Sequence, residues 1–301
     1  MKTKRIVLYF VLVFIMFAFN FYLRPIEGNK LITPKYQDSA AYVNDLYMSD
    51  EYFKKKLLSE EDYFIYNQIM EGSMEDKPEI AIKCNKDCKN IFYKAYYAVY
   101  LDHPELISFL GIKGFYYDNN TITYHNYENL SKVKAYLGAR RIEREMENIR
   151  KDTKNMDEQE KILYVYDYVA SHNYDRLFTV LGSNQSAYSF FTKKSSVCAG
   201  FAKASQIIFQ NIGINSYLVL SDDHMWNYVE YEGKYYIFDA TVGTSYYEKK
   251  NDRYYEGLGR TTTGVTEGLF KEYYPKIETE STLKEIFNKK IKKTPWFYKN
   301  K

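Results

Sequence analysis

The sequence is poor in the residues on which many functional sites depend. Its 301 residues include three cysteines and four histidines, and no group of His, Cys and carboxylate residues has the spacing of metal ligands. It contains neither a phosphate-binding P-loop nor a glycine-rich dinucleotide-binding turn after a strand. The net charge is +3, from 42 basic and 39 acidic side chains, which is too balanced for a nucleic-acid-binding protein. We therefore expect no metal, no cofactor and no nucleic-acid partner.

Aromatic and aliphatic residues, in contrast, are plentiful. Hydrophobic residues make up 46% of the chain, and its aromatic residues include 34 tyrosines and 19 phenylalanines. Such a composition can bury a sizeable core, which excludes wholesale disorder. The length allows one large domain or two modest ones.

Residues 1–23 differ from the rest of the chain. Lys2, Lys4 and Arg5 form a basic start, and the 18 residues Ile6–Leu23 that follow include Asn20 as their one strongly polar member. A helix of that length spans ~27 Å, close to the thickness of a bilayer core. The basic flank predicts a signal anchor with the body of the protein outside the cell, or a signal peptide whose removal yields a secreted protein. Residues 24–40 are predicted to form a linker.

Two of the cysteines lie close together in the sequence, at Cys84 and Cys88. In an oxidising exterior they would be able to form a disulfide, and two unbonded cysteines are the alternative. In either case Cys198 remains as a lone thiol.

The pattern between the linker and the middle of the chain is mostly helical. We predict a mostly helical N-terminal region over 41–155, with a small hairpin at Gly111–Tyr124 around the turn Asp118-Asn119-Asn120. Amphipathic helices are predicted at Leu130–Ile149 and Glu158–Ser171. A second region, 156–301, follows and ends in a C-terminal extension.

Cys198 lies where a helix is predicted to begin. Ser195 and Ser196 are typical helix-start residues, apolar residues then recur at helical spacing, and Gly213 fits a left-handed C-terminal cap. The free amides and the dipole at a helix start favour a negative charge, so a thiol there has a depressed pKa. Gly200 leaves room for another segment to approach closely.

A hairpin predicted after this helix brings a histidine and a carboxylate together. If Glu232-Gly233 is a two-residue loop, counting outward puts His224 opposite Thr241 and Trp226 opposite Asp239. Because side chains alternate along a strand, all four share one face, with His224 and Asp239 as diagonal neighbours. The carboxylate would then hold one imidazole nitrogen while the other faces the thiol, as in cysteine hydrolases and acyl transferases.

Four segments together resemble the transglutaminase-like core found in many bacterial proteins. They are Ser186-Ala187-Tyr188, Val197-Cys198-Ala199-Gly200-Phe201-Ala202, His224-Met225-Trp226-Asn227-Tyr228-Val229 and Tyr236-Ile237-Phe238-Asp239-Ala240-Thr241. The resemblance covers about Glu158–Thr244. It implies an α+β, papain-like fold in which the nucleophile helix packs on an antiparallel sheet, with Cys198, His224 and Asp239 as catalytic triad. Asp102-His103-Pro104-Glu105-Leu106 resembles the N-terminal region of some bacterial members.

The expected function is thiol-dependent acyl transfer or hydrolysis at peptide or carboxamide carbonyls, as a transglutaminase-like enzyme or a cysteine peptidase. The alternative is a non-catalytic peptide-binding or surface-assembly module on the same fold. Tyr188 lines the cleft, donates to the oxyanion or packs in the core, and Trp226 either shields the His–Asp pair or packs in the core. The N-terminal segment makes a cell-surface or cell-wall protein or peptide the expected substrate, and the membrane a partner.

Overall fold

The structure, a computed structural model, describes residues 50–74, 79–83, 89–106, 112–118, 121–126, 132–175, 184–221, 224–247, 253–261 and 270–293. All of them belong to one compact unit, which begins at Ser39. The predicted N-terminal segment 1–23, the linker 24–40 and the pair Cys84 and Cys88 lie outside the described residues. None of the helices described is both long and apolar enough to cross a membrane.

In the described N-terminal part, one aspartate joins two of the three helices. The helices are α1 (Tyr52–Leu57), α2 (Tyr63–Met74) and α3 (Lys89–Asp102). The Asp102 carboxylate, 3% exposed at the end of α3, accepts hydrogen bonds from the amides of Phe53 and Lys54 at 3.0 and 2.9 Å. It therefore caps the start of α1, whose free amides need an acceptor.

The predicted hairpin is present, but it belongs to a sheet with one more strand. The strands β2 (Ile112–Asp118) and β3 (Thr121–Asn126) pair antiparallel. A third strand, β1 (Glu79–Lys83), pairs with β3 on its other side, in the order β1-β3-β2. The prediction of a mostly helical region with one small hairpin missed this five-residue strand.

Two described helices lead up to the Cys198 region. The first, α4 (Lys132–Thr153), begins two residues later and ends four residues later than predicted, and the second, α5 (Glu158–Ala170), matches its prediction to within one residue. The start of α5 is a capping box, in which Asp157 accepts from the Glu160 amide and the Glu160 carboxylate accepts from the Asp157 amide. Its residues from Ile162 to Ala170 are all buried, so α5 runs through the core.

The helix that begins at Cys198 and an antiparallel sheet follow, which confirms the predicted α+β class. The helix is α6 (Cys198–Asn211), and the sheet contains β6 (Ser216–Leu220), β7 (Met225–Tyr231) and β8 (Lys234–Phe238) in that order. A short parallel pair, β4 (Asn173–Tyr174) with β5 (Ser195–Ser196), lies just before α6 in the chain. Gly213 has φ of 79°, so the predicted left-handed cap is confirmed.

Short elements complete the described chain. They are a π-helical segment at Ser189–Lys193, α7 (Thr241–Thr244), 3-10 turns at Glu60–Asp62, Tyr254–Leu258 and Lys271–Tyr273, α8 (Leu283–Ile286) and α9 (Asn288–Lys293).

Helix α6 takes part in two hydrophobic clusters. Phe201, Ile208 and Phe209 pack into a cluster with α4, α5 and the sheet, whereas Ala199 and Ala202 pack with α1 to α3. Buried amides fix the helix against both neighbours. Asn227 of β7 donates to the Ala202 carbonyl at 3.0 Å, and Gln206 donates to the Leu101 carbonyl at 3.2 Å. The start of α6 is therefore held rigidly relative to the sheet.

Candidate active site

Cys198 is the first residue of α6, as the sequence predicts. The residue before it, Val197, has the extended backbone of an N-cap but supplies no side-chain cap. Ser195 and Ser196 are not the cap that the sequence suggested, because they form β5 and pair with β4. Cys198 is half-buried, so the residue is not fully enclosed in packing.

The first turn of α6 has room only for a glycine at position 200. A β-carbon on Gly200 would lie 1.9 Å from Ser196 Oγ and 2.8 Å from the carbonyl oxygen of Ser186. The Ser186 segment, which carries part of the family resemblance, therefore packs directly against the first turn of α6. Close approach at Gly200, predicted from the sequence, is confirmed.

Substituting Gly200 with alanine is expected to reduce the free energy of unfolding by ~2 kcal/mol, since the clash outweighs the better helix propensity of alanine. A urea titration followed by fluorescence measures this change. Gly259→Ala is the matched control, because its nearest contact is the flexible Lys284 Cδ atom at 3.1 Å. If both variants unfold at the same urea concentration, close packing at Gly200 is not important for stability.

His224 is held at the entry to β7 by the hairpin that the sequence predicts. Tyr231 pairs with Lys234, and Glu232 and Gly233 have φ of 50° and 74°, as in a two-residue type I′ loop. The pairing of β7 with β8 ends at Asn227 and Phe238, so His224 and Asp239 lie beyond it. Thr241, predicted to lie opposite His224 on a strand, begins α7 instead. Ser221 also fixes the histidine backbone, since its Oγ accepts from the His224 amide at 3.1 Å.

The imidazole of His224 joins the thiol to the carboxylate. Its Nε2 atom lies 2.9 Å from Asp239 Oδ2, and its ring also hydrogen-bonds the Cys198 side chain. With Nε2 on the carboxylate, Nδ1 is the nitrogen available to the sulfur. The structure therefore brings the three residues that the sequence singled out into one cluster.

Asp239 is buried and completely surrounded by donors. Its side chain is 1% exposed. Oδ1 accepts from the Thr241 amide at 3.2 Å and from the Thr241 hydroxyl, while Oδ2 accepts from His224 and pairs with Arg260 at 3.1 Å. The Asp239 amide donates to the Gly257 carbonyl at 3.1 Å, and a β-carbon on Gly257 would lie 1.8 Å from the Asp239 carbonyl oxygen.

The electrostatics favour a thiolate–imidazolium pair. Burial alone would raise the pKa of Cys198, but the hydrogen bond and charge of His224, with the amides of Met225 and Ala199, lower it below its ordinary value. Burial opposes protonation of His224, yet hydrogen bonds to Asp239 and Cys198 raise its pKa to about 10. The pKa of Asp239 is lowered, because His224, Arg260 and Thr241 together outweigh its burial.

The sequence reasoning missed two residues of the site. Arg260 pairs with Asp239, and Tyr174 hydrogen-bonds both the side chain and the backbone amide of Cys198. Burial, followed by the charge of Cys198, raises the pKa of Tyr174, so its hydroxyl is protonated at neutral pH. The β4–β5 pairing, which sets Tyr174 opposite Ser196, explains the position of this ring. Neither residue belongs to a local motif that would have identified it.

Two aromatic residues, Trp226 and Tyr188, were predicted either to contribute to the site or to pack in the core. Trp226 lies at the site, and Tyr188 packs elsewhere. The Trp226 indole is 3% exposed and stacks on His224, with ring centroids 5.9 Å apart and an interplanar angle of 20°. It therefore covers one face of the imidazole. The Tyr188 ring lies against α4, where its carbons would be 2.4 Å from a β-carbon on Gly138. This contact favours core packing over a role in the cleft.

The motif at the end of α3 forms a second polar cluster. His103 Nε2 lies 2.6 Å from the Tyr66 hydroxyl, and its Nδ1 lies 2.6 Å from Glu105. Together with the Asp102 cap on α1, these contacts give the motif a role in joining α1, α2 and α3.

A cysteine at a helix start, a histidine on its sulfur and a buried aspartate on that histidine define the site of a papain-like thiol protein. The family model of the transglutaminase-like superfamily matches residues 146–240, a span that contains all three. Residues 146–240 are therefore similar to the core domain of the transglutaminase-like superfamily, whose members are typically cysteine enzymes.

Comparisons with solved structures gave more distant similarities. A candidate cysteine protease from Cytophaga hutchinsonii is 16% identical, with a TM-score of 0.28, over 44% of this chain and 62% of that chain. A protein described as a TGase is 18% identical, with a TM-score of 0.32, over 61% of this chain and 58% of that chain. The chain thus spans about three fifths of the length of each. No curated protein matches it.

Proposed function

We propose that this protein is a thiol-dependent enzyme that transfers or hydrolyses acyl groups at carboxamide or peptide carbonyls. The observation that carries the proposal is the contact chain from the Cys198 sulfur through His224 to the buried Asp239 carboxylate. In a binding module, no advantage would offset the free-energy cost of burying this carboxylate beside an ionised pair.

In the proposed reaction the Cys198 thiolate attacks the carbonyl carbon and forms a carbon–sulfur bond. The Nδ1 proton of His224 passes to the leaving nitrogen, and release of ammonia or an amine leaves a thioester. His224 then accepts a proton from an incoming amine or water, which attacks the thioester and releases the sulfur. Asp239 keeps the imidazole oriented and stabilises its charge in both steps.

Two hydrogen-bond donors beside the sulfur are suited to stabilise the oxyanion that develops during attack. They are the backbone amide of Cys198, at the start of α6, and the hydroxyl of Tyr174. Tyr174 takes the role that the sequence reasoning had considered for Tyr188.

Transfer and hydrolysis differ in which nucleophile reaches the thioester, so one experiment tests both. The full-length chain would be incubated with synthetic glutamine-containing peptides, with and without an added primary amine, and analysed by mass spectrometry. We expect an amine adduct if the enzyme transfers, and deamidated or cleaved peptide if it hydrolyses. Neither product should form with Cys198→Ala.

The result that would contradict the proposal is equal product, or none, from the wild-type chain and Cys198→Ala across the peptide set. Binding of the same peptides without turnover would instead support the non-catalytic module. We propose surface or cell-wall proteins and peptides as substrates, on the basis of the basic and apolar residues 1–23.

A further inference from the structure

The buried carboxylate at the centre of the site is held by two cations rather than one. Asp239 Oδ2 lies 2.9 Å from His224 Nε2 and 3.1 Å from a terminal nitrogen of Arg260. The Asp239 side chain is 1% exposed, whereas that of Arg260 is 38% exposed. Arg260 therefore reaches the inner carboxylate from the protein surface and shares an oxygen with the imidazole.

The turn that supplies Arg260 is tied to Asp239 through the main chain. The Gly257 carbonyl accepts from the Asp239 amide at 3.1 Å, and the Gly259 amide closes the turn onto the Glu256 carbonyl at 3.0 Å. No side chain fits at Gly257, because its β-carbon would overlap the Asp239 carbonyl. Main-chain contacts therefore fix the position of Arg260 relative to Asp239.

We propose that Arg260 is a positioning residue that acts on His224 through Asp239, so that the site works as a group of four rather than three. The proposal rests on the proposed function. Arg260 fixes the Asp239 oxygen that receives the imidazole, and it balances the charge of the site. With the thiolate and imidazolium formed, two negative groups, Cys198 and Asp239, face two positive ones, His224 and Arg260.

Charge balance predicts a specific pH effect. A nearby positive charge favours the deprotonated form of every neighbouring group, so its removal should raise the pKa of both Cys198 and His224. Among the described residues, Tyr100, Tyr166 and Tyr174 also interact electrostatically with Cys198 or Asp239. Burial raises the pKa of each of them, so they stay neutral where the thiol titrates.

The test is the pH dependence of Cys198 alkylation by iodoacetamide in the full-length chain. Mass spectrometry of the tryptic peptide 195–203 separates Cys198 from Cys84 and Cys88. Arg260→Met should move the midpoint of the alkylation profile upward by ~0.5–1 pH unit, as expected for the loss of a partly screened charge a few ångströms away. Arg260→Lys retains the charge and should move it less.

The matched control is Arg253→Met, since Arg253 lies over the Tyr246 ring, 5.1 Å from its centroid, instead of on the carboxylate. The midpoint of the alkylation profile of Arg253→Met should equal that of the wild-type chain. If Arg260→Met fails to fold, Arg260→Gln removes the same charge with a polar side chain and is expected to show the same shift.

An unchanged midpoint in a folded Arg260→Met or Arg260→Gln variant would overturn the positioning role, because a purely structural contact would alter the rate but not the midpoint. A failure of the proposed function itself would give a different alkylation result. In that case wild-type Cys198 itself would titrate as an ordinary thiol, and His224→Ala would leave its profile unchanged.

Discussion

Replacing His224 with alanine is expected to lower turnover by ~10³–10⁴-fold, because the thiolate loses the group that stabilises it and carries protons in both steps. The imidazole hydrogen-bonds Cys198 on one side and lies 2.9 Å from Asp239 on the other. The measurement is kcat on whichever peptide the mass-spectrometric assay identifies. A loss of less than tenfold would show that His224 is not the base.

The same variant should change thiol reactivity in a pH-dependent way. In the wild-type chain the lowered pKa of Cys198 and the pKa of about 10 of His224 keep the ion pair formed between those two values. Without the imidazole, the thiolate forms only as the pH approaches the ordinary cysteine value of ~8.5. Alkylation of Cys198 near neutral pH should therefore slow ~10-fold, and the difference should disappear in alkaline solution.

The unfolded chain supplies the reference for this experiment. In urea, Cys198 of both proteins should react at the rate of a plain thiol, since neither His224 nor the start of α6 acts on it. Equal rates for the folded wild-type chain and the unfolded chain at neutral pH would contradict an activated thiol.

Replacing Tyr174 with phenylalanine is expected to lower kcat by ~10²-fold with little change in KM, because the hydroxyl, which hydrogen-bonds Cys198 in the free protein, would donate to the oxyanion as it develops in the transition state. The substitution removes one oxygen and retains the ring, which packs 5.8 Å from the Phe201 ring centroid. Alkylation involves no oxyanion, so its rate should change by less than about threefold. This split between turnover and alkylation separates oxyanion stabilisation from thiol activation.

Tyr188→Phe is the matched control, since it removes the same hydroxyl from a ring that packs against α4. Its kcat should remain within about twofold of the wild-type value. If both tyrosine variants lose turnover equally, or if Tyr174→Phe loses none, Tyr174 is not an oxyanion donor.

Much of the candidate site could be predicted because its central residues are arranged by short-range rules. The helix start at Cys198 follows from the spacing of apolar residues after it, and the meeting of His224 with Asp239 follows from a two-residue loop and the alternation of side chains. The fold was less predictable where local signals are weak. Strand β1 is five residues long, and its pairing with β3 joins segments far apart in the chain.

The sequence by itself therefore determined the α+β class, the order of the three reactive groups and the hairpin that unites two of them. Only the tertiary structure decided that Arg260 reaches Asp239, that Tyr174 rather than Tyr188 contacts Cys198, and that Gly257 packs against the main-chain carbonyl of Asp239. The physical reason is distance along the chain. Hydrogen-bonding rules within a helix or hairpin act over a few residues, whereas these contacts depend on how separate segments pack around α6.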